Sequence, residues 1–446
     1  MLTSSYVDRF LLLLLPPALL FGSVAAAAER PLAAQIADDY AYLGPLFEHF
    51  HANPELSFVE HETSKRLAAE LRAAGVEVTT GVGGTGVVGI VRNGDGPVLL
   101  LRADMDGLPV EEKSGLPYAS AARQTDIDGN EFPVMHACGH DMHMTVLVGT
   151  ARALMRMREA WRGTLVLIGQ PAEERISGAR RMLEDGLYER FPRPDHALAL
   201  HVSSSLPSGQ ILMQPGLTFS SSDSLDIIVH GVGTHGASPH QGKDPIVIAS
   251  QIVLALQTLV AREISPLRPG VVTVGAFHSG TKHNIISDRA ELQLTVRSDD
   301  DETRAALLEG IERIATNIGR AAGLPEDKLP EVIRSTQSTP PTLNDPALTA
   351  RLRTAFTNHF GAAQLTSKPR EGMGAEDFAY FLRTEPRVPG VYFRVGGTSP
   401  EAFRVAAAGG PQVAGHHSPY FRIEPETSIT TGVEAMTVAV LELLGR

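Results

Sequence analysis

One stretch concentrates side chains that bind metals. Met135-His136-Ala137-Cys138-Gly139-His140-Asp141-Met142-His143 brings a thiol, three imidazoles and a carboxylate into close sequence. Cysteine and histidine are the borderline-soft donors favoured by zinc-like ions. Three further places carry similar donors. Glu173-Glu174 follows Gly169-Gln170-Pro171-Ala172, His201 ends the apolar run Ala197–Leu200, and His416-His417 precedes Ser418-Pro419. Taken singly, such residues are common as exposed acidic turns or satisfied core histidines. Together, Cys138, His140, Glu174, His201 and His417 make more donors than the four of a closed tetrahedral site. Two ions about 3.5–4 Å apart, sharing one ligand and a water, would use them all. Adjacent glutamates at a strand end point in different directions, so one can bind metal while the other handles a proton. That is machinery for metal-assisted amide hydrolysis.

These donors need a rigid frame. From Pro31 to about Gly216, apolar strand-like runs (Val87–Val91, Val98–Arg102, Thr164–Ile168, His196–Val202) alternate with helical stretches at Asp38–His51, Ser64–Ala74 and Thr145–Arg158. This pattern predicts an α/β fold, a mixed sheet covered by helices on both faces. Glu173-Glu174 and His201 fall at the ends of strands, where such sheets place their sites.

A second pattern begins near Ser224. Strand candidates Leu225–His230, Val271–Phe277, Ala290–Arg297 and Glu331–Ser335 are interleaved with helices Pro245–Ala261 and Asp301–Ala322. The order β-α-β-β-α-β is the ferredoxin-like signature. The expected organisation is therefore a catalytic unit over residues 30–220 and 338–446, interrupted by an inserted α+β lid over 221–337.

Composition limits the alternatives. The chain has 446 residues, 43% hydrophobic and 20% charged, as in a folded globular protein. Asp and Glu total 51 against 39 Lys and Arg, which argues against nucleic acid as a partner. A single cysteine excludes internal disulfides and Cys-X-X-Cys chemistry. Gly81–Gly86 matches G-x-G-x-x-G, but a strand-like run follows it rather than a helix, so it reads as a turn and not as a dinucleotide site. No phosphate-binding loop or G-x-S-x-G elbow occurs.

The N-terminus has the three-part plan of a secretory signal: Arg9, the apolar run Phe10–Phe21, then small residues with cleavage expected after Ala27 or Ala28. Residues 1–28 are thus expected to direct export, to a periplasmic or secreted location. Pro16-Pro17 and the short length argue against an anchor helix, and no other stretch reads as a membrane span.

The segments LRADMDGLP (101–109), HACGHDMH (136–143), GQPAEE (169–174), ALHV (199–202), THGASPH (234–240), GAEDF (374–378) and HHSPYF (416–421) resemble the amidohydrolase branch of the aminoacylase/carboxypeptidase metallopeptidase superfamily. That branch includes hippurate hydrolases, N-acyl-amino-acid amidohydrolases and plant auxin-conjugate hydrolases, and the similarity runs from about residue 40 to the C-terminus. The resemblance implies two divalent cations, zinc foremost, with manganese, cobalt or nickel as alternatives. It implies that Cys138 bridges them, that His140 and His201 complete one site, and that Glu174 and His417 complete the other. Glu173 is implied as general base and then acid, and Asp106 as the residue orienting the ligands. On the lid, His235 matches a histidine that stabilises the oxyanion, often across a homodimer, while Asn284 and Arg297 match residues that hold substrate. The implied substrate is a small N-acyl amino acid. The alternatives are a dipeptidase or carboxypeptidase with the same centre, and a non-catalytic metal- or ligand-binding protein on the same fold.

Overall fold

The computed structural model describes Met1 and residues 31–446. The expected signal segment, residues 1–28, lies outside the described residues apart from Met1.

Eight strands form the catalytic sheet, in the order Glu77–Val82, Gly86–Asn93, Gly163–Gln170, Val98–Asp104, His196–Pro207, Gly390–Thr398, Ile211–Leu212, Leu365–Thr366. The four central strands, from Gly163–Gln170 to Gly390–Thr398, run parallel, and the hairpin Glu77–Asn93 adds antiparallel to one side. Side chains alternate between two cores, as strand geometry demands. Leu99, Leu101, Leu165, Leu167, Leu198, Leu200, Val391 and Phe393 face a core shared with helices Leu32–Ala52, His140–Arg156 and Pro425–Leu444. Leu100, Val166, Ile168, Ala197, Ala199 and Tyr392 face the other core, with Met182, Phe378 and Phe381. The Gly81–Gly86 segment is the hairpin turn between the first two strands. Gly83 has φ 68°, and a Cβ there would stand 2.7 Å from the Met182 backbone.

The lid is a four-stranded antiparallel sheet, ordered Gly270–Ser279, Arg289–Ser298, Ser222–His230, Glu331–Thr339. Helices Pro245–Thr258 and Asp301–Ala321 cover one face through Ile248, Ile252, Leu256, Leu307 and Ile311. Strand Gly216–Phe219 enters the lid and strand Thr342–Asn344 leaves it, and these two pair with each other. The molecule is thus a mixed α/β structure with a large sheet between helices and a smaller lid.

Two sequence expectations need correction. The helix predicted over Thr145–Arg158 runs His140–Arg156, so His140, Asp141 and His143 lie on its first turns. Two further helices are long and apolar enough to cross a membrane by length and composition, Pro245–Glu263 and Pro425–Leu444. The second is mostly buried in the catalytic core, and the first lies along the lid sheet.

Candidate active site

The donors gather beyond the ends of the parallel strands. Val98–Asp104 ends in Asp104 and leads to Asp106, Gly163–Gln170 leads to Glu173-Glu174, and His201, expected at a strand end, instead stands within His196–Pro207, because this strand runs on past His201 beside Gly390–Thr398. Gly139 turns the chain from Cys138 into its helix with φ 92°. A Cβ there would stand 2.3 Å from Val202 Cγ1, so the Cys138–His140 turn requires glycine.

The Sγ of Cys138 lies 3.4 Å from His201 Nε2. Glu174 Oε1 lies 3.5 Å from His417 Nε2 and 3.9 Å from His140 Nε2. Cys138, His140 and His201 form one triad of donor atoms within 4.8 Å of one another, and Cys138, Glu174 and His417 form a second, sharing the thiol. His140 Nδ1 is held by the backbone oxygen of Asp106 at 2.8 Å and His201 Nδ1 by that of Val202 at 2.5 Å. These bonds leave both Nε2 atoms free to face the cluster. His140 Nε2 and Glu174 Oε1 are buried without a hydrogen-bond partner, a costly state that a cation would relieve. The donor set therefore fits two divalent cations.

Electrostatics agree. Burial, with Glu174 and Glu173 nearby, pushes the Cys138 thiol well up. Burial, Glu376 and Glu174 push Glu173 well above the usual carboxylate range. Glu174 rises to about 8, chiefly through burial, despite His140. Burial alone would lower His140, but Asp104 and Asp106 hold it at about 10. A site of crowded acids is one that bound positive charge neutralises.

Asp106, buried, fixes the paired glutamates. Its carboxylate accepts from Glu173 N at 3.1 Å, Glu174 N at 3.0 Å and Ser57 Oγ at 2.6 Å. Ala172, just before them, has φ 50° and donates its N–H to the buried Glu60 at 2.8 Å. His417 has φ 65°, and its N–H donates to the Ala137 oxygen. Non-glycine residues in this region carry strain that the surroundings must hold.

A cavity of about 550 Å³ opens over the cluster, lined by Cys138, Glu173, Glu174, His201, His417 and Arg297 among others. Of the three expected lid residues, Arg297 alone reaches it. His235 and Asn284 are exposed on the lid and do not line the cavity of their own chain. They are brought together by a short ribbon, in which His235 pairs with Ile285 and Gly236 N donates to the Asn284 oxygen. Of the doubled histidines, His417 joins the thiol and Glu174. His416 accepts from Ser204 N and packs on Phe421.

Sequence reasoning missed a charged network under the site. Arg102 is fully buried and reaches Asp104 at 2.5 Å, Gln170 at 2.8 Å and Glu376 at 2.7 Å. Tyr392 Oη donates to Glu376 at 2.6 Å, and Asp104 holds His143 Nδ1 at 2.5 Å. The readable signal was Arg102 and Asp104 within an otherwise apolar strand, together with Glu376-Asp377 in GAEDF.

Comparison with known proteins decides the family. The family model described as peptidase family M20/M25/M40 matches residues 100–442. The chain belongs to this family. It is 38% identical over 335 residues to the hippurate hydrolase of Campylobacter jejuni, covering 74% of this chain and 82% of that protein. It is 39% identical over 351 residues to thermostable carboxypeptidase 2 of Saccharolobus solfataricus, covering 78% and 83%. The Bacillus subtilis YXEP protein, whose structure is described as a dinuclear metal-binding peptidase of the M20 family, superposes with a TM-score of 0.70 at 29% identity, covering 91% of this chain and 99% of that one. The chain is thus an M20 hydrolase, a metal-dependent enzyme of the amidohydrolase and peptidase kind.

Proposed function

We propose that this M20 enzyme hydrolyses N-acyl amino acids to a carboxylic acid and an amino acid. The observation that carries this reading is the pair of donor triads sharing Cys138, with Glu173 beside them in a cavity that also holds the Arg297 cation. Cys138, His140 and His201 would hold one cation, and Cys138, Glu174 and His417 the other. When bound, these ions supply a polarised carbonyl and a water of lowered pKa. Glu173, 3.9 Å from His140, takes a proton from the attacking water and returns it to the departing nitrogen. The water oxygen ends in the acid as the C–N bond breaks. Asp106 holds both glutamates in place. Arg297 pairs with the α-carboxylate.

His235 and Asn284 stand outside their own cavity, which supports a homodimer in which each lid offers them to the other copy. The lid helix Pro245–Thr258 leaves Leu254 exposed at 72%, beside exposed Val247, as a surface for that partner. Zinc suits the thiol and imidazoles; manganese, cobalt or nickel could enter by availability. The signal-like N-terminus supports export, and N-terminal sequencing of the mature protein tests it: a retained Met1 refutes cleavage.

A carboxypeptidase is the second reading, favoured by the 39% identical relative of that name. Metal-replete enzyme assayed on hippurate and on Gly-Phe separates the two. Faster hippurate hydrolysis, with Glu173→Gln keeping metal but losing about 10²–10⁴-fold in rate, supports the proposal. Turnover of Gly-Phe alone overturns it in favour of peptidase action, and no turnover of either substrate by metal-replete enzyme overturns it altogether.

A further inference from the structure

Arg394 lines the same cavity as Cys138, Glu173 and Arg297. It lies on the central strand Gly390–Thr398, in register with His201 on the neighbouring parallel strand. Counting by twos from Tyr392 and Ala199, the two side chains stand on the same face of the sheet. Neither the motifs in the sequence nor the family comparison assigns Arg394 a role.

What distinguishes this arginine is its lack of partners. A guanidinium carries five N–H donors and stays charged. Among the described residues, Arg394 makes no hydrogen bond and no ion pair; it lies over the Phe219 ring, 5.0 Å from its centre. Nearby cations are already engaged: Arg370 with Asp299 and Ser220, and Lys368 with Glu371 at 2.6 Å. Arg102, on the same face, is surrounded by carboxylates. Burial pushes the pKa of Arg394 below its ordinary value, and Arg370 acts in the same direction against Tyr392 and Glu371. A largely desolvated guanidinium without an anion is unfavourable unless a ligand supplies one.

Arg297 is in the same condition. It leaves the lid strand on the face opposite Leu294 and Val296, which pack under the helices, and it too makes no hydrogen bond or ion pair among the described residues. The cavity therefore offers two unsatisfied guanidiniums, one from the lid and one from the catalytic sheet. One guanidinium fork side-on takes two of the roughly four acceptor positions of a carboxylate; two guanidiniums arriving from different elements are both matched in charge when the ligand carries two carboxylates. The volume of about 550 Å³ accommodates a conjugate of two small acids.

We propose that Arg394 binds a second carboxylate, so that the preferred substrates are N-acyl amino acids bearing two carboxylates, the second on either the side chain or the acyl group. This rests on the acyl-amino-acid reading above and deepens it.

The test uses the full, metal-loaded enzyme and two matched pairs. N-acetyl-L-glutamate against N-acetyl-L-glutamine places the second charge on the side chain. N-succinyl-L-alanine against N-butyryl-L-alanine places it on the acyl group. The expected result is a kcat/KM ratio of about 10² in one pair, collapsing to about threefold or less in Arg394→Met and partly restored in Arg394→Lys. That pair also assigns the side of the scissile bond. Wild-type ratios near one in both pairs, or a ratio that survives Arg394→Met, overturn the proposal. If no acyl amino acid is turned over, the function reading fails separately. Calorimetric binding of glutarate against butyrate to the metal-loaded protein then reads Arg394 directly: loss of the glutarate preference in Arg394→Met supports the subsite, and an unchanged preference refutes it. If Arg394→Met does not fold, Arg394→Gln is read in the same way.

Discussion

Asp106→Asn removes charge at a buried junction without changing its shape. The aspartate accepts three hydrogen bonds, one on Oδ1 from Glu173 N and two on Oδ2 from Glu174 N and Ser57 Oγ. An asparagine offers a single accepting oxygen. Placed at Oδ2, it keeps two bonds and turns its NH₂ toward the Glu173 N–H, donor against donor, and toward His140 Nδ1, which lies 3.3 Å from Oδ1. The reverse orientation loses two bonds, so the first prevails. Losing one bond to a charged acceptor and leaving opposed donors costs about 3 kcal/mol, equivalent to about two decades in rate if it falls on the reacting geometry. The released residue is Glu173 itself, so the expected result is a kcat about 10²-fold lower on hippurate, with metal content measured in the same samples. Ser57→Ala removes one bond to Oδ2, the oxygen that also holds Glu174, and is expected to cost about tenfold. An Asp106→Asn enzyme with a full metal complement and kcat/KM within about threefold of wild type would falsify the assigned role.

Cys138→Ser exchanges the donor shared by both triads, so it is expected to lower the occupancy of both ions together; chelation of the wild type should abolish hydrolysis, with recovery on adding metal. His51 gives a pH prediction through its contact with Asp141, the residue after His140. Burial alone would lower its pKa, but Asp141 at 2.7 Å and Glu112 at 3.0 Å raise it to about 10. Its stabilising contribution is complete below the unfolded value near 6.5 and is lost as pH rises through 10. The wild type should lose up to about 1.4 kcal/mol per pH unit across that window. Denaturant titrations of His51→Gln should show a flatter alkaline limb, and an equally steep one refutes the pairing. On the proposed homodimer, the wild type is expected to run as a dimer in light scattering and Leu254→Glu as a monomer of lower activity, whereas an active monomer would rule out residues shared across copies.

The legible parts of this molecule were those with one buried face. The lid helix Asp301–Ala321 alternates Leu307, Ile311 and Ile314 against solvent-facing residues, so its period shows. The helix His140–Arg156 begins with a long wholly buried segment, from His140 to Ala151, so no polar face marks its start and it was expected to begin later. The strand Gly390–Thr398 is covered on both faces and likewise showed no alternation. The metal donors stood out because their chemistry is unusual in type, not because of spacing. The Arg102 network did not, because Arg102 and Glu376 meet only through the fold. In His416-His417 the abutting Ser418-Pro419 favours His417 as the ligand; the fold puts His417 Nε2 3.5 Å from Glu174 Oε1, while the more buried His416 accepts from Ser204 N.

Gly390–Thr398 sits between His196–Pro207 and Ile211–Leu212, near the middle of the catalytic sheet, yet it is made late in synthesis, and His417 comes later still. A chain leaving the ribosome therefore holds four of the five donors, and a whole lid built from contacts within one continuous segment, before its main sheet can close. The lid can mature during synthesis, while the catalytic unit waits for a pairing between distant parts of the sequence, the slow kind of contact. Until then His196–Pro207 is an open edge, the kind that recruits the wrong strand. Loss of even the last sixty or so residues should therefore leave a folded lid on an unfinished sheet, a species suited to chaperone capture rather than to partial activity.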